Sequence, residues 1–289
     1  MIKQDDLNAH LGVDSAQAII VDGMMLPGLS STGSGKSLGE VMERFGLDET
    51  IRAILSSQHQ TFIDTCLRST SLPPDASSFD VSLPVPTEIV VMTLNGPDGA
   101  EMVIYPQSGS REKIGPGVYS LPVFDIEYRL AGVSDDVNFE LLCDSMDLMR
   151  LQFETELLFD LLSKSVRSQR NRIDAPLSSR SISEAMELIE RESRVVFNCA
   201  LNTRAFSMWR DHIHSGGGKL FGATALCCSP RKRQNMKRNY FLGPPNMLGV
   251  FATTVPSARF DEKDVLMVSM RMGAVVLDRS LISSVDGPQ

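Results

Sequence analysis

The sequence predicts an α+β fold, and three groups of residues carry that prediction. An apolar stripe at helical spacing runs from about residue 135 to residue 172. Two runs rich in β-formers precede it at residues 88–94 and 100–105, and two apolar strand-like runs follow it at residues 247–256 and 264–277. A long helix and several strands are therefore expected in the same chain.

The composition is that of a folded, acidic protein. With 289 residues, 42% of them hydrophobic, the chain can form one large or two modest domains with an ample core. A net charge of −8 argues against a free-standing nucleic-acid-binding protein, which usually presents a basic surface. The sequence has no apolar signal core and no run of about 18 apolar residues, so we expect it to stay in the cytoplasm without a membrane span. The five cysteines follow no regular spacing and are expected to be reduced thiols.

The N-terminal region combines helical and extended segments. Helix signals run from Ser37 to about Arg68, with a break at Gly46. Four prolines between positions 73 and 86 then favour extended backbone, because proline fixes its own φ and restricts the residue before it. This pattern predicts an arm that lies across another surface.

A hairpin and a strand lead into the longest helix. The two β-rich runs at 88–105 flank a loop of turn-forming residues, and residues 107–117 are predicted to form a mobile polar loop. Residues 121–130 alternate apolar and polar side chains, as in a half-buried strand. The helix at about 135–172 would span roughly 55 Å, with one apolar stripe facing a core throughout and Pro176 ending it.

A capped helix and a strand are predicted after this spine. Ser181 and Glu184 have capping-box spacing at the start of a helix that reaches about Arg194. Residues 195–201 then change to a strand pattern, and Asn202 offers an N-cap for the next helix.

The remainder of the chain is predicted to be a short helix followed by two closing strands. Three glycines at 216–218 end the short helix, because residues without a Cβ make continued helix entropically costly. We expect Trp209, Phe251 and the strand at residues 265–277 to hold a core together.

The order of these segments resembles the major capsid proteins of tailed phages, which have the Hong Kong 97 fold. The resemblance covers roughly residues 80–280 and rests on element order and local patterns. Residues 202–206, Asn-Thr-Arg-Ala-Phe, resemble the step from a central strand into a helix of the axial domain. Residues 248–256 resemble the strand that returns to the peripheral domain, and residues 265–277 resemble its partner.

This resemblance implies a division of the chain. Residues 1–80 would form an N-terminal arm, and residues 81–117 an extended hairpin loop over a neighbouring subunit. Residues 118–180 would form a peripheral domain with the spine helix, completed by strands at 247–289, and residues 181–246 would form the axial domain.

The resemblance also implies a structural protein with no enzymatic activity and no cofactor. Many copies would self-assemble into pentamers and hexamers of an icosahedral phage head, part of the virion, built in the host cytoplasm. The shell would enclose double-stranded DNA without sequence-specific contact, with portal, scaffolding or decoration proteins as further partners. An encapsulin-like nanocompartment shell protein is the alternative, which genomic context or cargo would distinguish.

Charged residues in two loops are candidates for contacts between subunits. They are Arg111, Glu112 and Lys113 in the polar loop, and Arg231, Arg233, Lys237 and Arg238 in the basic cluster. Because the chain is acidic, a solvated loop or a loop that pairs with acids of a neighbouring subunit is a better interpretation of the basic cluster than nucleic-acid binding.

Two other patterns suggest ligand chemistry. Residues 33–37, Gly-Ser-Gly-Lys-Ser, resemble part of a phosphate-binding loop, but position 30 is serine where the full motif needs glycine. Nucleotide binding there is a minor alternative to a flexible linker. His212 and His214 lie near two adjacent cysteines, yet their spacing matches no zinc finger. We therefore predict no catalytic residue, cofactor site or metal site.

Overall fold

The computed structural model of the protein describes residues 19–22, 35–46, 49–50, 54, 61–82, 89–94, 100–105, 113–115, 118–166, 171–191, 195–260 and 265–287. The helices are α1 (Leu38–Phe45), α2 (Phe62–Cys66), α3 (Phe139–Ser165), α4 (Ser179–Glu190), α5 (Thr203–Met208), α6 (Arg210–Ser215) and α7 (Pro245–Leu248), and a 3₁₀ turn covers Arg279–Leu281. The strands are β1 (Ile19–Asp22), β2 (Arg68–Leu72), β3 (Ser78–Ser82), β4 (Ile89–Leu94), β5 (Ala100–Tyr105), β6 (Lys113–Gly115), β7 (Val118–Pro122), β8 (Phe124–Leu130), β9 (Arg172–Ile173), β10 (Asn198–Asn202), β11 (Lys219–Leu220), β12 (Ala223–Cys228), β13 (Arg238–Leu242), β14 (Gly249–Thr254), β15 (Ser257–Phe260), β16 (Leu266–Val276) and β17 (Ile282–Asp286).

The described strands form three sheets. The eight-stranded sheet has the order β1-β8-β16-β14-β2, with β15 and β4 also pairing with β16, and β5 with β4. The six-stranded sheet has the order β11-β12-β10-β13-β17-β9, and the three-stranded sheet has the order β3-β7-β6. Helices and strands share the architecture, so the predicted α+β class is confirmed.

The eight-stranded sheet is centred on β16, which is buried along most of its length. Its antiparallel hairpin β4–β5 confirms the two β-rich runs predicted around residues 88–105. Segments of the predicted N-terminal arm also belong to this sheet, because β1 pairs with β8 and β2 pairs with β14. The extended backbone after Pro73 continues as β3, which pairs with β7 of the same chain.

The strand predicted at residues 121–130 is divided in two. The chain leaves the three-stranded sheet after Pro122, passes Val123 outside either strand, and enters the eight-stranded sheet at Phe124. The three-stranded sheet covers a second apolar cluster that includes Phe79, Leu121 and Val250. One alternating run therefore serves two layers, which its periodicity alone does not reveal.

Helix α3 has 27 residues and connects the sheets. Asn138 caps it by accepting a hydrogen bond from the N–H of Leu141 at 3.1 Å, and it ends at Ser165. The predicted span of 135–172 is therefore too long, and Pro176 does not end the helix. The first half buries one stripe, whereas the second half is buried on most sides between the two larger sheets, so the single stripe predicted throughout is also wrong. In the described part of the chain, no helix is long and apolar enough to cross a membrane.

The six-stranded sheet is formed by the chain after α3, and several predicted boundaries shift there. Helix α4 is capped by Ser178 and not by Ser181, because Ser178 and Ser181 exchange side-chain to backbone hydrogen bonds of 3.3 and 2.9 Å. It ends at Glu190, and the following strand begins at Asn198, three residues later than predicted. Asn202 caps α5 as predicted, accepting from the N–H of Ala205 at 2.9 Å.

The closing strands differ from prediction at their ends. Residues 247 and 248, predicted to begin a strand, instead end α7, because Pro245 occupies the first helical turn and the strand starts only at Gly249. The last strand, β17, pairs with β13 of the six-stranded sheet. The assignment of residues 247–289 to the peripheral domain stays a prediction. Phe251 and β16 lie in the core as expected, and Trp209 packs against it while partly buried.

Candidate assembly surfaces

The predicted basic cluster lies between β12 and β13 at residues 230–237, hereafter the basic turn. Two carboxylates of α3 hold it. Glu156 accepts hydrogen bonds from the backbone N–H of Lys232 at 3.0 Å and from Asn235 Nδ2 at 3.1 Å. Asp160 accepts from Asn235 Nδ2 at 2.8 Å and pairs with the ammonium of Lys232. Asn235 is fully buried, so this clamp fixes the turn on the helix.

The other basic side chains of the turn remain at the surface. Arg231, Arg233 and Lys237 are exposed, and none has an ion-pair partner among the residues that the structure describes. Met236 beside them is 42% exposed. The turn therefore presents three cations and one apolar side chain. Their contact with another subunit stays a prediction.

Arg238 belongs to a different environment. Its Nε lies 3.6 Å from Asp286 Oδ2, and its guanidinium also donates to the hydroxyl of Ser163 at the end of α3. Arg172 Nε lies 2.9 Å from the same Asp286 oxygen. Burial raises the pKa of Asp286, and the two arginines oppose that rise. Arg238 thus joins β13, β17 and α3 within its own chain instead of lying with the exposed cations of the turn.

The three candidates in the polar loop are only partly described. Arg111 and Glu112 lie outside the described residues. Lys113 begins β6 and pairs in register with Tyr119 of β7, so this part of the predicted loop is a strand. Their predicted role between subunits remains a prediction.

Of the predicted phosphate-binding segment at residues 33–37, residues 35–37 are described and lead into α1. The backbone N–H groups of Leu38 and Gly39 donate to the carbonyls of Val137 and Asp135 at 2.7 and 2.8 Å. The next N–H, that of Glu40, donates to the hydroxyl of Ser37, which caps α1. A phosphate needs such free amides at a helix start, and here the same chain occupies them. These contacts disfavour nucleotide binding at residues 33–37, which the sequence offered as a minor alternative.

The histidine and cysteine side chains that the sequence places near one another take part in packing where the structure describes them. The ring of His212 lies 5.7 Å from that of Trp209 and 5.1 Å from that of Phe221. Cys228 is buried, and burial raises the pKa of its thiol well above the usual range. In the described part of the chain, no group of three or more His, Cys, Asp or Glu side chains could hold a metal ion.

A second surface, missed at the sequence level, lies on the first half of α3. Glu140, Asp144 and Asp147 are spaced by four and three residues and therefore share one side of the helix. Leu141 and Leu148 beside them are 45% and 62% exposed. A concavity of about 300 Å³ adjoins them; it is lined by Thr61, Asp144, Asp147, Leu148, Arg150 and Leu151. These acids, leucines and the concavity are called the acidic socket below.

The sequence contains a signal for this socket. Acids at the start of α3 suit the helix dipole, and that explanation suffices for the first turn alone. It does not explain Asp144 and Asp147, which lie beyond that turn, nor leucines seven residues apart at exposed positions. The spacing of these acids and leucines places them on one side of the helix, while their exposure is visible only in the structure.

A partly buried ion-pair network supports the wall of the socket. Arg150 Nε lies 2.8 Å from Glu154 Oε1, and Arg150 Nη2 lies 3.5 Å from Asp64 Oδ2 in α2. Glu154 is fully buried, and burial raises its pKa although Arg150 lowers it. The network ties α2 to α3 and so fixes the position of the concavity.

Comparison with known proteins gives matches at the level of structure. No protein-family model and no curated protein matches the sequence. A solved structure from Microbacterium phage Oxtober96 is similar over 82% of this chain and 97% of that chain, with 10% identity and a TM-score of 0.50. A virus-like particle from Pyrococcus furiosus is similar over 82% of this chain and 96% of that chain, with 11% identity and a TM-score of 0.48. The mature capsid of bacteriophage PhiM1 is similar over 80% of this chain and 88% of that chain, with 9% identity and a TM-score of 0.45. The similarity to the Microbacterium phage structure extends over most of this chain and nearly all of the other, and the protein has the α+β Hong Kong 97-like fold of phage major capsid proteins.

Proposed function

We propose that the protein is a structural subunit that assembles with copies of itself into a closed shell. The observation that carries this proposal is the fold shared with the Microbacterium phage structure over 82% of this chain and 97% of the other. A shell subunit needs surfaces that remain exposed in the single chain, and the cations of the basic turn together with Glu140 and Asp144 of the acidic socket have that property. Its role is structural and not catalytic.

The more specific form of the proposal is a phage major capsid protein. Copies form pentamers and hexamers of an icosahedral head around double-stranded DNA, in a virion that assembles in the host cytoplasm. The net charge of −8 supports a wall that does not adhere to packed DNA, because like charges repel. Portal, scaffolding and decoration proteins would be the other partners.

The domain division is part of this proposal. An arm at residues 1–80 and an extended loop at 81–117 reach neighbouring subunits, and an axial domain at 181–246 lies near the capsomer axis. Extended segments suit a shell because they bury area on neighbours that a compact subunit cannot reach. An encapsulin-like nanocompartment is the second candidate, since it would need the same self-association without packaged DNA.

Expression of the full chain tests the proposal directly. We expect closed particles of uniform diameter in sedimentation gradients and negative-stain images. A chain that stays monomeric at all concentrations, even when the products of its neighbouring genes are co-expressed, would contradict shell formation.

The contents of the native particles distinguish the two candidates. Nuclease-protected double-stranded DNA of uniform length is expected for a phage head. A protein cargo without protected DNA would instead support the nanocompartment.

A further inference from the structure

The basic turn and the acidic socket carry opposite charges, and the cations of the turn together with Glu140 and Asp144 are exposed in the single chain. The turn presents Arg231, Arg233 and Lys237, whereas the socket presents three carboxylates on one side of α3. Glu140 and Asp144 are exposed and have no ion-pair partner in the described part of the chain. Carboxylates at this helical spacing repel one another, and a bound cation would relieve the repulsion.

The apolar parts of the two surfaces also match. Met236 is exposed within the turn, and Leu148 lines the concavity of the socket. A methionine side chain is flexible and fills irregular apolar gaps. The concavity of about 300 Å³ is large enough for one or two long side chains and is small for a separate drug-sized ligand.

The two surfaces cannot meet within one copy. The turn is clamped to α3 at Glu156 and Asp160, while the socket is centred on Asp144. At 3.6 residues per turn, Asp144 and Asp160 lie about 160° apart around the helix axis and about 24 Å apart along it. The turn therefore faces away from its own socket and is available to another molecule.

We propose that the basic turn of one copy docks into the acidic socket of a neighbouring copy, an inference that rests on the proposed self-assembly. Because different surfaces of the two copies meet, the contact is head-to-tail. Repetition of such a contact closes into a ring when the rotation between copies allows it. The clamp at Glu156 and Asp160 pre-organises the turn, which reduces the conformational entropy lost on docking.

Charge reversal on each side tests the pairing. The turn variant is Arg231→Glu with Arg233→Glu, and the socket variant is Glu140→Lys with Asp144→Lys. Each is expected to lower the assembled fraction at least about tenfold, because like charges then face each other across the contact. The four-substitution variant restores opposite charges and is expected to recover assembly. Failure of that recovery would overturn the proposal.

A matched control changes the same charges on another exposed helix face. Glu184→Lys with Glu187→Lys on α4 adds the same positive charge outside both surfaces. This variant is expected to assemble like the unmodified chain. Circular dichroism of every variant shows whether lost assembly reflects lost folding.

Zero-length cross-linking tests the contact without substitutions. A carbodiimide joins a lysine amine to a carboxylate in contact with it, and Lys237 is the exposed lysine of the turn that the clamp does not use. In particles assembled from mixed ¹⁴N and ¹⁵N chains, we expect isotopically mixed links from Lys237 to Glu140, Asp144 or Asp147. Mixed links from Lys237 only to carboxylates outside the socket would overturn the proposal.

The outcomes separate this inference from the proposed function. If the unmodified chain forms no particles, shell formation itself fails. If the unmodified chain and both reversed variants assemble equally well, only the turn-to-socket contact fails.

Discussion

Gly249, the first residue of β14, has no space for a side chain. A Cβ there would lie 2.2 Å from the carbonyl oxygen of Val275 and 3.0 Å from a methyl carbon of Leu67. Its backbone is extended, with φ of −179°, so only the contact and not the conformation demands glycine. The close approach of β14 to β16 depends on this missing side chain.

We therefore expect Gly249→Ala to lower the free energy of unfolding by about 3 kcal/mol, because the two central strands must separate. Gly287→Ala is the control, since its Cβ would meet its nearest neighbours at 3.5 Å, an ordinary contact. Gly287→Ala should change the free energy of unfolding by less than about 0.5 kcal/mol. Urea unfolding of both variants provides the measurement, and equal effects would contradict the steric explanation.

The buried carboxyl group of Glu154 predicts a dependence of stability on pH. Burial raises its pKa in the folded protein, so at pH values above the ordinary carboxyl range the folded state binds more protons than the unfolded state. Its contribution is therefore fully present at low pH and is lost as pH rises through the raised pKa. Glu154→Gln removes this ionisation.

As pH rises, the unmodified chain loses this contribution and the variant does not. The free energy of unfolding of Glu154→Gln should therefore increase relative to that of the unmodified chain. Denaturant unfolding at a series of values between about pH 4 and pH 8 measures it. A difference that is constant over this range, or that changes in the opposite direction, would show that burial does not raise the pKa of Glu154.

At the scale of elements, helix α4 shows how two capping signals compete. The pair Ser181 and Glu184 fits the capping-box spacing, yet Ser178 caps the helix and Ser181 serves as its reciprocal partner. The hydroxyl of Ser181 also donates to the carbonyl of Pro176 at 2.9 Å. The turn that contains Pro176 therefore sets the N-cap of the helix at Ser178, three residues before the N-cap at Ser181 that the capping-box spacing predicted.

Ser178→Ala should therefore destabilise the protein by about 1 kcal/mol, the usual cost of removing a serine cap. Glu184 is exposed and takes no part in the cap, so Glu184→Ala should change stability by less than about 0.5 kcal/mol. Midpoints of urea unfolding compare the two. A larger loss of stability for Glu184→Ala than for Ser178→Ala would instead support the capping box at Ser181 and Glu184 that the sequence predicted.

The whole molecule depends on strands that are far apart in the chain. β17 lies between β13 and β9 in the six-stranded sheet, and the hydroxyl of Ser283 donates to the carbonyl of Ala185 in α4 at 2.6 Å. Ile282 and Val285 are fully buried. The last strand therefore completes the sheet that underlies both α4 and the end of α3.

Removal of residues 282–289 should accordingly leave the protein insoluble or unable to assemble, because β13 and β9 lose their shared neighbour and expose buried apolar surface. Removal of residues 288–289 alone retains every described strand and should have no such effect. The soluble fraction after expression and the sedimentation profile measure the difference. A soluble, assembling protein after the larger deletion would contradict the role of β17.

Local signals in the sequence determined many elements correctly. The hairpin β4–β5, the cap at Asn202, the apolar strand β16 and the existence of a long central helix each depend on residues close in the chain. Propensity, capping and hydrophobic period act over such distances, so one sequence suffices to predict them. The order of these elements also sufficed to indicate the fold that the structure confirms.

Only the tertiary structure decided where those elements meet. It divided one alternating run at Val123 between two sheets, placed β17 beside β13, and clamped the basic turn to α3 through Asn235 and Asp160, 75 residues apart in the chain. It also left the acids and leucines of the socket exposed, a property that depends on what the rest of the chain covers. Pairing across such separations is selected by packing and by the burial of polar groups, which no local pattern of residues encodes.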